Sequence, residues 1–468
     1  MFGLQLKYLS FFFGIIIILS FFNIIYSFYF NLYLNLDTYY ITFLLSIFLT
    51  FLFYKIKFRI KKITIFDKIF TVFFGYISIP VVLSIPFYLS IYNLTFLNSY
   101  FESISGFTST GFTIFENIKN IDQSLILWRS SIQWIGGLYF LFSIIFLIDI
   151  YDKSLKKTLT NFISLNNSET LKQAVKIFLL YTSITFLIFI ILNMSSIRTF
   201  DSLNLAYSLI SSGGFLPVNS LSEILRENYQ IIILSLLMLF SFFSIFFSYN
   251  LIFFKNKNIN FFYEDLNLLI YLTIIIFLFF IFFSFNEDFS KNILSISSSV
   301  SNIGFSIESQ KSNLNFIFLI LVIIGGSFFS TSSGLRFIKI YSLFRYSMNQ
   351  ILSFSRPKNI FMNRLMFTKD NFDINEINKY FLTILIFFLS LLILTSLLGL
   401  SGFTFENSFK LAILTLMNTV NSSIYGLSDF DFGKIHFFAK YTLILFMIIG
   451  RIELLTILLL IKKFLVKN

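Results

Sequence analysis

The sequence predicts an all-α polytopic membrane protein: four helix–pore-loop–helix repeats around a pseudo-fourfold pore, preceded by a two-helix hairpin. Three observations predict it. Of 468 residues, 57% are hydrophobic and only 12% charged, and the apolar runs reach the roughly 20 residues that cross a bilayer. Four short stretches rich in Ser and Thr interrupt those runs, at 101–113, 206–215, 294–306 and 414–426. Lys and Arg gather in alternate connections. Non-helical backbone at membrane depth is tolerated only where it is buried in protein or lines a water-filled path. Four such loops therefore point to one ion filter built from four quarters.

Ten spans are expected, at about 8–31, 38–56, 66–94, 122–150, 170–194, 229–254, 262–285, 314–345, 376–400 and 435–463. The first run is too long for a signal-peptide core and lacks a small-residue cleavage site, so it reads as a helix. It forms an added hairpin, residues 1–62. The first repeat is 63–165 with pore loop 97–115, and the second is 166–259 with pore loop 201–217. The third is 260–350, with pore loop 292–308 and an intramembrane loop at 325–336. The fourth is 351–468 with pore loop 406–427.

Charge sets the orientation. With the N-terminus inside, most of the 35 Lys and Arg fall in inner segments, notably Lys55–Lys68 and Arg336–Lys379. This satisfies the positive-inside rule. Both termini are then cytoplasmic, and all four pore loops open outward. The net charge of +12 follows from this orientation, so a nucleic-acid partner is excluded. The lipid bilayer is the partner such a basic inner surface meets. The absence of Cys excludes disulfides and thiolate chemistry, and the single His436 leaves no basis for a His-based metal or acid–base centre. The 71 Phe residues reflect compositional bias rather than an aromatic ligand box.

The loops suit a cation. A bare alkali ion leaves water only if oxygen dipoles replace its hydration shell, as rings of backbone carbonyls do. Aiming consecutive carbonyls at one axis needs unusual backbone angles, which Gly permits. Gly111, Gly213, Gly304 and Ser423 are read as the third residue of each filter. A short helix before each filter would aim its negative end at the pore. No carboxylate lies inside a filter, which favours a monovalent cation. The competing reading, packing loops of small residues, is disfavoured by four matched positions.

Arg451, about midway along the last span, is a costly charge that marks a functional site. Glu453, two residues on, cannot share its face and reads as a packing or interhelix partner. The weak helix formers of 325–334 should break the eighth span. Glu102 and Asp201 read as dipole partners at pore-helix starts. Glu116, Glu308, Asp429 and Asp431 form the outer rim, Trp128 and Trp134 are interfacial anchors or core, and His436 is interfacial.

These residues resemble the Trk/Ktr/HKT superfamily of potassium transporters, over nearly the whole chain. Phe101–Phe112 is similar to the family's first pore loop, and Trp128–Gly137 to the signature opening the next helix. Ser211-Ser-Gly-Gly-Phe215 resembles the second filter, Gly325–Arg336 the Gly-rich intramembrane loop, and Gly450–Thr456 the last-helix motif. The resemblance implies filter residues Thr110-Gly111, Ser212-Gly213, Ile303-Gly304 and Ser422-Ser423, with K+ (or Na+) as the ion held. It implies a gate of Gly325, Gly326, Ser327, Ser330, Thr331, Gly334 and Arg451. Three departures stand out. Asn421–Tyr425 replaces the usual Asn-x-Gly-Pro-Gly, so that Ser423 takes a Gly position; Ile303 stands where a hydroxyl is common; and Phe328-Phe329 stand where small residues are usual.

The resemblance implies potassium uptake across the inner (cytoplasmic) membrane by a non-enzymatic, channel-like subunit with no organic cofactor. It further implies a homodimer and a cytoplasmic nucleotide-binding regulatory subunit, a TrkA/KtrA-like ring docked on inner loops such as 346–375. The alternative is a sodium- or proton-coupled symporter of monovalent cations or another small solute. That class uses inverted repeats and midplane carboxylates, whereas these repeats read as parallel. An intramembrane enzyme would need a constellation that one His and no Cys do not supply.

Overall fold

The computed structural model describes residues 5–55, 64–148, 170–252, 262–283, 289–307, 314–354, 374–427, 430–453 and 456–460. Helices dominate them, with one two-residue β-pair. The hairpin is α1 (Leu6–Tyr29) and α2 (Leu36–Lys55). Next come α3 (Ile65–Leu83), α4 (Ile85–Tyr88), the short α5 (Phe96–Phe107) and α6 (Gln123–Phe146). Then follow α7 (Thr170–Met194), the short α8 (Thr199–Ser211), α9 (Asn228–Phe242) and α10 (Ile245–Ile252). The third group is α11 (Tyr263–Phe283), the short α12 (Phe289–Val300), α13 (Asn315–Ile323) and α14 (Phe337–Ser353). The chain continues with α15 (Ile374–Leu400), the short α16 (Phe405–Leu416) and α17 (Phe437–Arg451).

Local chemistry sets the ends. Thr64 and Asp67 form a reciprocal capping box that starts α3, and such a box satisfies two orphan amides at once. Thr95 and Thr404 cap α5 and α16 with one bond each, accepting the amide three residues on. Pro86 cannot continue α3 and opens α4 instead.

Six helices of the described residues are long and apolar enough to cross a membrane: α1, α2, α3 with α4, α7, α11 and α15. The other four expected spans differ for physical reasons. The helix α6 is buried at every residue from Ser124 to Ile145, yet carries Arg129 and Gln133. The 229–254 run is not one helix: α9 stops at Phe242, Phe243 is extended, and α10 begins at Ile245. The 314–345 run divides into α13 and α14. The 435–463 run ends its first helix at Arg451, where Ile452 turns extended. Arg451 therefore sits at the end of a helix segment within that run.

The hairpin packs on α6 through Asn23, whose amide donates to Ser124 O (3.2 Å), and through Tyr39 against Ser124 Oγ (3.0 Å). Its outer side leaves Leu44, Phe48 and Phe51 more than 60% exposed, a surface suited to lipid rather than water. Both tryptophans are core residues: Trp128 donates to Leu83 O (3.1 Å) and Trp134 to Thr185 Oγ1 (3.0 Å). Two glycines let α6 pass between pore-helix ends. A Cβ on Gly136 would lie 2.0 Å from Phe107 O, and one on Gly137 2.7 Å from Ser211 Cβ.

Candidate functional site

The four short helices α5, α8, α12 and α16 end alike. Ser109, Ser212, Asn302 and Asn418 each take a left-handed conformation, with φ of 56°, 56°, 59° and 47°. Left-handed residues other than Gly are uncommon, so four at one structural position mark one shared turn. The next amide then bonds back five residues in every loop: Thr110 to Ser105 O (2.9 Å), Gly213 to Ser208 O (2.7 Å), Ile303 to Ser298 O (3.0 Å) and Thr419 to Leu414 O (2.9 Å).

This shared turn fixes the register of the loops, and it corrects two assignments. Gly111 and Gly304 stand at one level, with φ of 82° and 84°. The second-loop residue at that level is Gly214, so the pair there is Gly213-Gly214 rather than Ser212-Gly213. The fourth-loop pair is Thr419-Val420 rather than Ser422-Ser423. Ser423 opens a turn of 3-10 helix, Ser423–Tyr425, three residues beyond. Asn418, not Asn421, is the asparagine that ends the pore helix. A spacing legible in the sequence carries this register: Ser105, Ser208 and Ser298 each precede a Gly-Phe pair by six residues.

The four residues of that level meet. A Cβ on Gly111 would lie 2.8 Å from Gly214 Cα and 3.0 Å from Val420 Cβ. One on Gly214 would lie 2.3 Å from Val420 Cβ, and one on Gly304 2.7 Å from Val420 Cγ1. They form the floor of a cavity of about 580 Å³, whose walls include Thr113, Asn219, Ser306, Ser422 and Ser423.

Each loop is tied differently. Glu102, in the second turn of α5, accepts from Arg129 Nε (2.9 Å), Thr113 Oγ1 (3.0 Å) and the Ile114 amide (2.9 Å). It is thus an internal anchor of loop one rather than a dipole partner at a helix start. The Arg129 guanidinium also lies 4.2 Å from the Phe215 ring centroid, in loop two. Gln133, with its amide oriented to satisfy its neighbours, accepts from the Phe215 and Gly214 amides (3.0 and 3.1 Å) and donates to Ser208 Oγ (3.1 Å). Asn418 donates to Thr110 Oγ1 (3.0 Å) and Met447 O (2.9 Å), joining loops one and four. Asp201 stays in the first turn of α8.

At the rim, Lys434 bridges Glu116 and Asp431, so these carboxylates are partly neutralised. Their bonds to Lys434 raise its ammonium above the ordinary lysine range. Glu308 and Asp429 lie outside the described residues, as do residues 355–373 of the 346–375 connection. His436 caps α17, accepting the Phe438 amide (3.3 Å).

Beyond the pore-helix ends lies the 325–336 loop. It leaves α13 and rejoins α14 through a parallel pair, β1 (Ile324–Gly325) with β2 (Leu335–Arg336). Two glycines make that pairing: a Cβ on Gly325 would lie 2.1 Å from Ser333 O, and one on Gly334, at φ 85°, 2.8 Å from Gly325 Cα. Arg336 gathers the loop, donating to Ser327 O (2.9 Å), Ser330 Oγ (3.1 Å) and Ser332 O (3.1 Å). The break between α9 and α10 receives it: Ser327 N donates to Phe242 O (3.0 Å) and Ile245 N to Phe329 O (3.1 Å). Thr331 Oγ1 donates to Ile210 O at the end of α8 (2.7 Å).

Arg451 is buried against these parts. It donates to Ser333 Oγ, to Ser109 Oγ (3.2 Å) and to Ser211 O (3.4 Å), so it ties the loop to pore-helix ends one and two. Both Arg451 and Arg336 lie over the Phe140 ring, at 4.0 and 4.9 Å. Glu453 pairs with Lys339 (3.0 Å). Sequence reasoning missed Glu264 and Asp265, two buried carboxylates that open α11. Glu264 accepts the Phe328 amide (2.9 Å) and Asp265 the Ser244 amide (2.8 Å). Their only signal is an adjacent acidic pair heading an apolar span.

No family model matches the chain. It is 24% identical over 378 residues to an uncharacterized cation transporter of Methanocaldococcus jannaschii, covering 75% of this chain and 76% of that protein. It is 20% identical over 379 residues to the Trk system potassium uptake protein TrkH of Halomonas elongata (76% and 77% covered). With TrkH of Escherichia coli K12 the identity is 23% over 392 residues, 79% of each chain. The fold matches the crystal structure of the potassium transporter TrkH from Vibrio parahaemolyticus, with a TM-score of 0.76 at 18% identity over 97% of this chain and 98% of that one. In sequence and in fold, the chain is similar to the Trk-type proteins of the Trk/Ktr/HKT superfamily of potassium transporters.

Proposed function

We propose that this chain is a potassium uptake subunit that conducts the ion, channel-like, down the membrane potential. The observation that carries the reading is the convergence of Gly111, Gly214, Gly304 and Val420 at the floor of one cavity. Backbone carbonyls of Thr110-Gly111, Gly213-Gly214 and Ile303-Gly304 are the oxygens we assign to the ion, since such rings replace its hydration shell. The four pore helices direct their negative ends toward it. The potential contributes about 2.3 kcal/mol per charge per 100 mV, which drives uptake without a nucleotide site in this chain.

The gate in this reading is Gly325, Gly326, Ser327, Ser330, Thr331 and Gly334 with Arg451, beneath the filter. Arg451 places a buried positive charge there, and its contacts to Ser109, Ser211 and Ser333 support the assignment. A cytoplasmic nucleotide-binding ring acts on this gate from the basic inner surface. The chain works as a homodimer in the cytoplasmic membrane, with both termini inside. A symporter would need carboxylates facing the path. The buried or nearly buried ones, Asp67, Glu102, Glu264, Asp265 and Glu453, are held by Thr64, by Arg129, by backbone amides and by Lys339.

The test is rubidium and sodium uptake into liposomes holding the purified chain, under an inside-negative potential. Uptake of rubidium above sodium, lost in Gly111→Asp, is expected. Equal uptake of both ions would reduce the function to a general monovalent cation pathway. Uptake no greater than in empty liposomes, for the wild type and for variants that widen the floor, would overturn it.

A further inference from the structure

Three quarters of the floor are glycine and the fourth is Val420. The difference is one of chemistry as well as size. Gly111 and Gly304 adopt positive φ, which turns the backbone in a way few L-residues can follow. Val420 does not adopt positive φ. It is β-branched and therefore stiff about χ1, so its isopropyl group has few places to go.

The group's position follows from its neighbours. The Cβ points of Gly111, Gly214 and Gly304 all lie within 3.0 Å of a Val420 side-chain atom. A side chain that would meet a Cβ on each of three converging loops fills the space between them. The residue remains half-buried, facing the cavity above, while Thr110, Ile303 and Thr419 just below are buried. The cavity reaches Val420, and Thr110, Gly213, Ile303 and Thr419 just below do not line it.

We propose that the Val420 side chain is an apolar constriction in the ion path at the level of the filter, and that it limits conduction through this chain. The proposal rests on the transport reading above. A valyl group offers a dehydrating cation no oxygen, and an apolar constriction closes a pore by excluding water. The ion passes when the fourth loop carries Val420 off the centre.

The chain has no cysteine, so a single Val420→Cys variant reports on its own position. In proteoliposomes of the full chain, a membrane-impermeant cationic methanethiosulfonate added outside should label Val420→Cys. Exposed Asn219→Cys serves as the labelled control and buried Ile413→Cys as the unlabelled one. In the same vesicles, Val420→Gly should raise rubidium uptake by ~10-fold, and Val420→Leu should lower it, because constriction width sets the barrier. Failure to label Val420→Cys while Asn219→Cys is labelled overturns the constriction, whatever the flux. Uptake present but unchanged in Val420→Gly also overturns it and leaves the transport reading standing. Labelling without uptake in either wild type or Val420→Gly overturns the transport reading itself, and the constriction with it.

Discussion

Pore loops one and four begin alike and end differently. Each helix is capped by a threonine, Thr95 or Thr404, and each ends in a left-handed residue, Ser109 or Asn418. Past that point loop one is held by a buried ion pair and loop four by neutral hydrogen bonds. In loop one Glu102 and Arg129 fix Thr113 and Ile114. In loop four the chain coils into the Ser423–Tyr425 turn, closed by Gly426 in a left-handed conformation, and Tyr425 donates to Ser299 Oγ (3.3 Å). The loop with the stronger anchor carries the glycine, and the loop with the weaker anchor carries the valine. Rigid carbonyl placement and a movable side chain call for different supports.

Three substitutions test that contrast. Glu102→Ala leaves the Arg129 charge buried without its carboxylate, and removing one partner of a buried pair costs about 3–5 kcal/mol. A large fall in thermal stability in detergent, with loss of rubidium uptake, is expected; an unchanged melting temperature would place the anchor elsewhere. Tyr425→Phe removes one neutral hydrogen bond, about 1 kcal/mol. It should loosen loop four alone, raising uptake modestly with little change in melting temperature. A loss of uptake equal to that of Glu102→Ala would end the distinction between the loops. Lys434→Gln is the mildest. It frees Glu116 and Asp431 at the rim, and should strengthen low-concentration cation uptake at low ionic strength only, because exposed charges are screened at high salt. An increase that survives high salt would show a direct contact with the ion instead.

Much of this was legible in the sequence. Apolar runs gave the uninterrupted outer helices, because a lipid-facing helix must be apolar along its whole length. The runs at 229–254 and 435–463 hid their breaks. Phe243 and Ile452 are apolar, and what stops the helices there is tertiary: Ser244 donates to Asp265, and Ile452 turns beside the buried Arg451. In loops two and four the level of Gly111 and Gly304 falls elsewhere than the glycine pattern suggests, for a related reason. Gly213 is the first glycine of its loop and Ser423 stands in for one, whereas the level is set by where the pore helix ends. Val420 has no glycine signal at all. Glu264 and Asp265 escaped notice because their partners, Phe328 and Ser244, are reached only through folding.

The parallel clasp of Ile324–Gly325 on Leu335–Arg336 has a mechanical consequence. The chain leaves the α13–α14 path and rejoins it at nearly the same point and heading. The nine residues between can change shape while both helix segments keep their depth and tilt. Bilayer thickness and lateral tension act on helices through their length across the hydrocarbon, so neither acts on this loop along the α13–α14 path. Rubidium uptake should then hold steady across liposomes of short and long acyl chains.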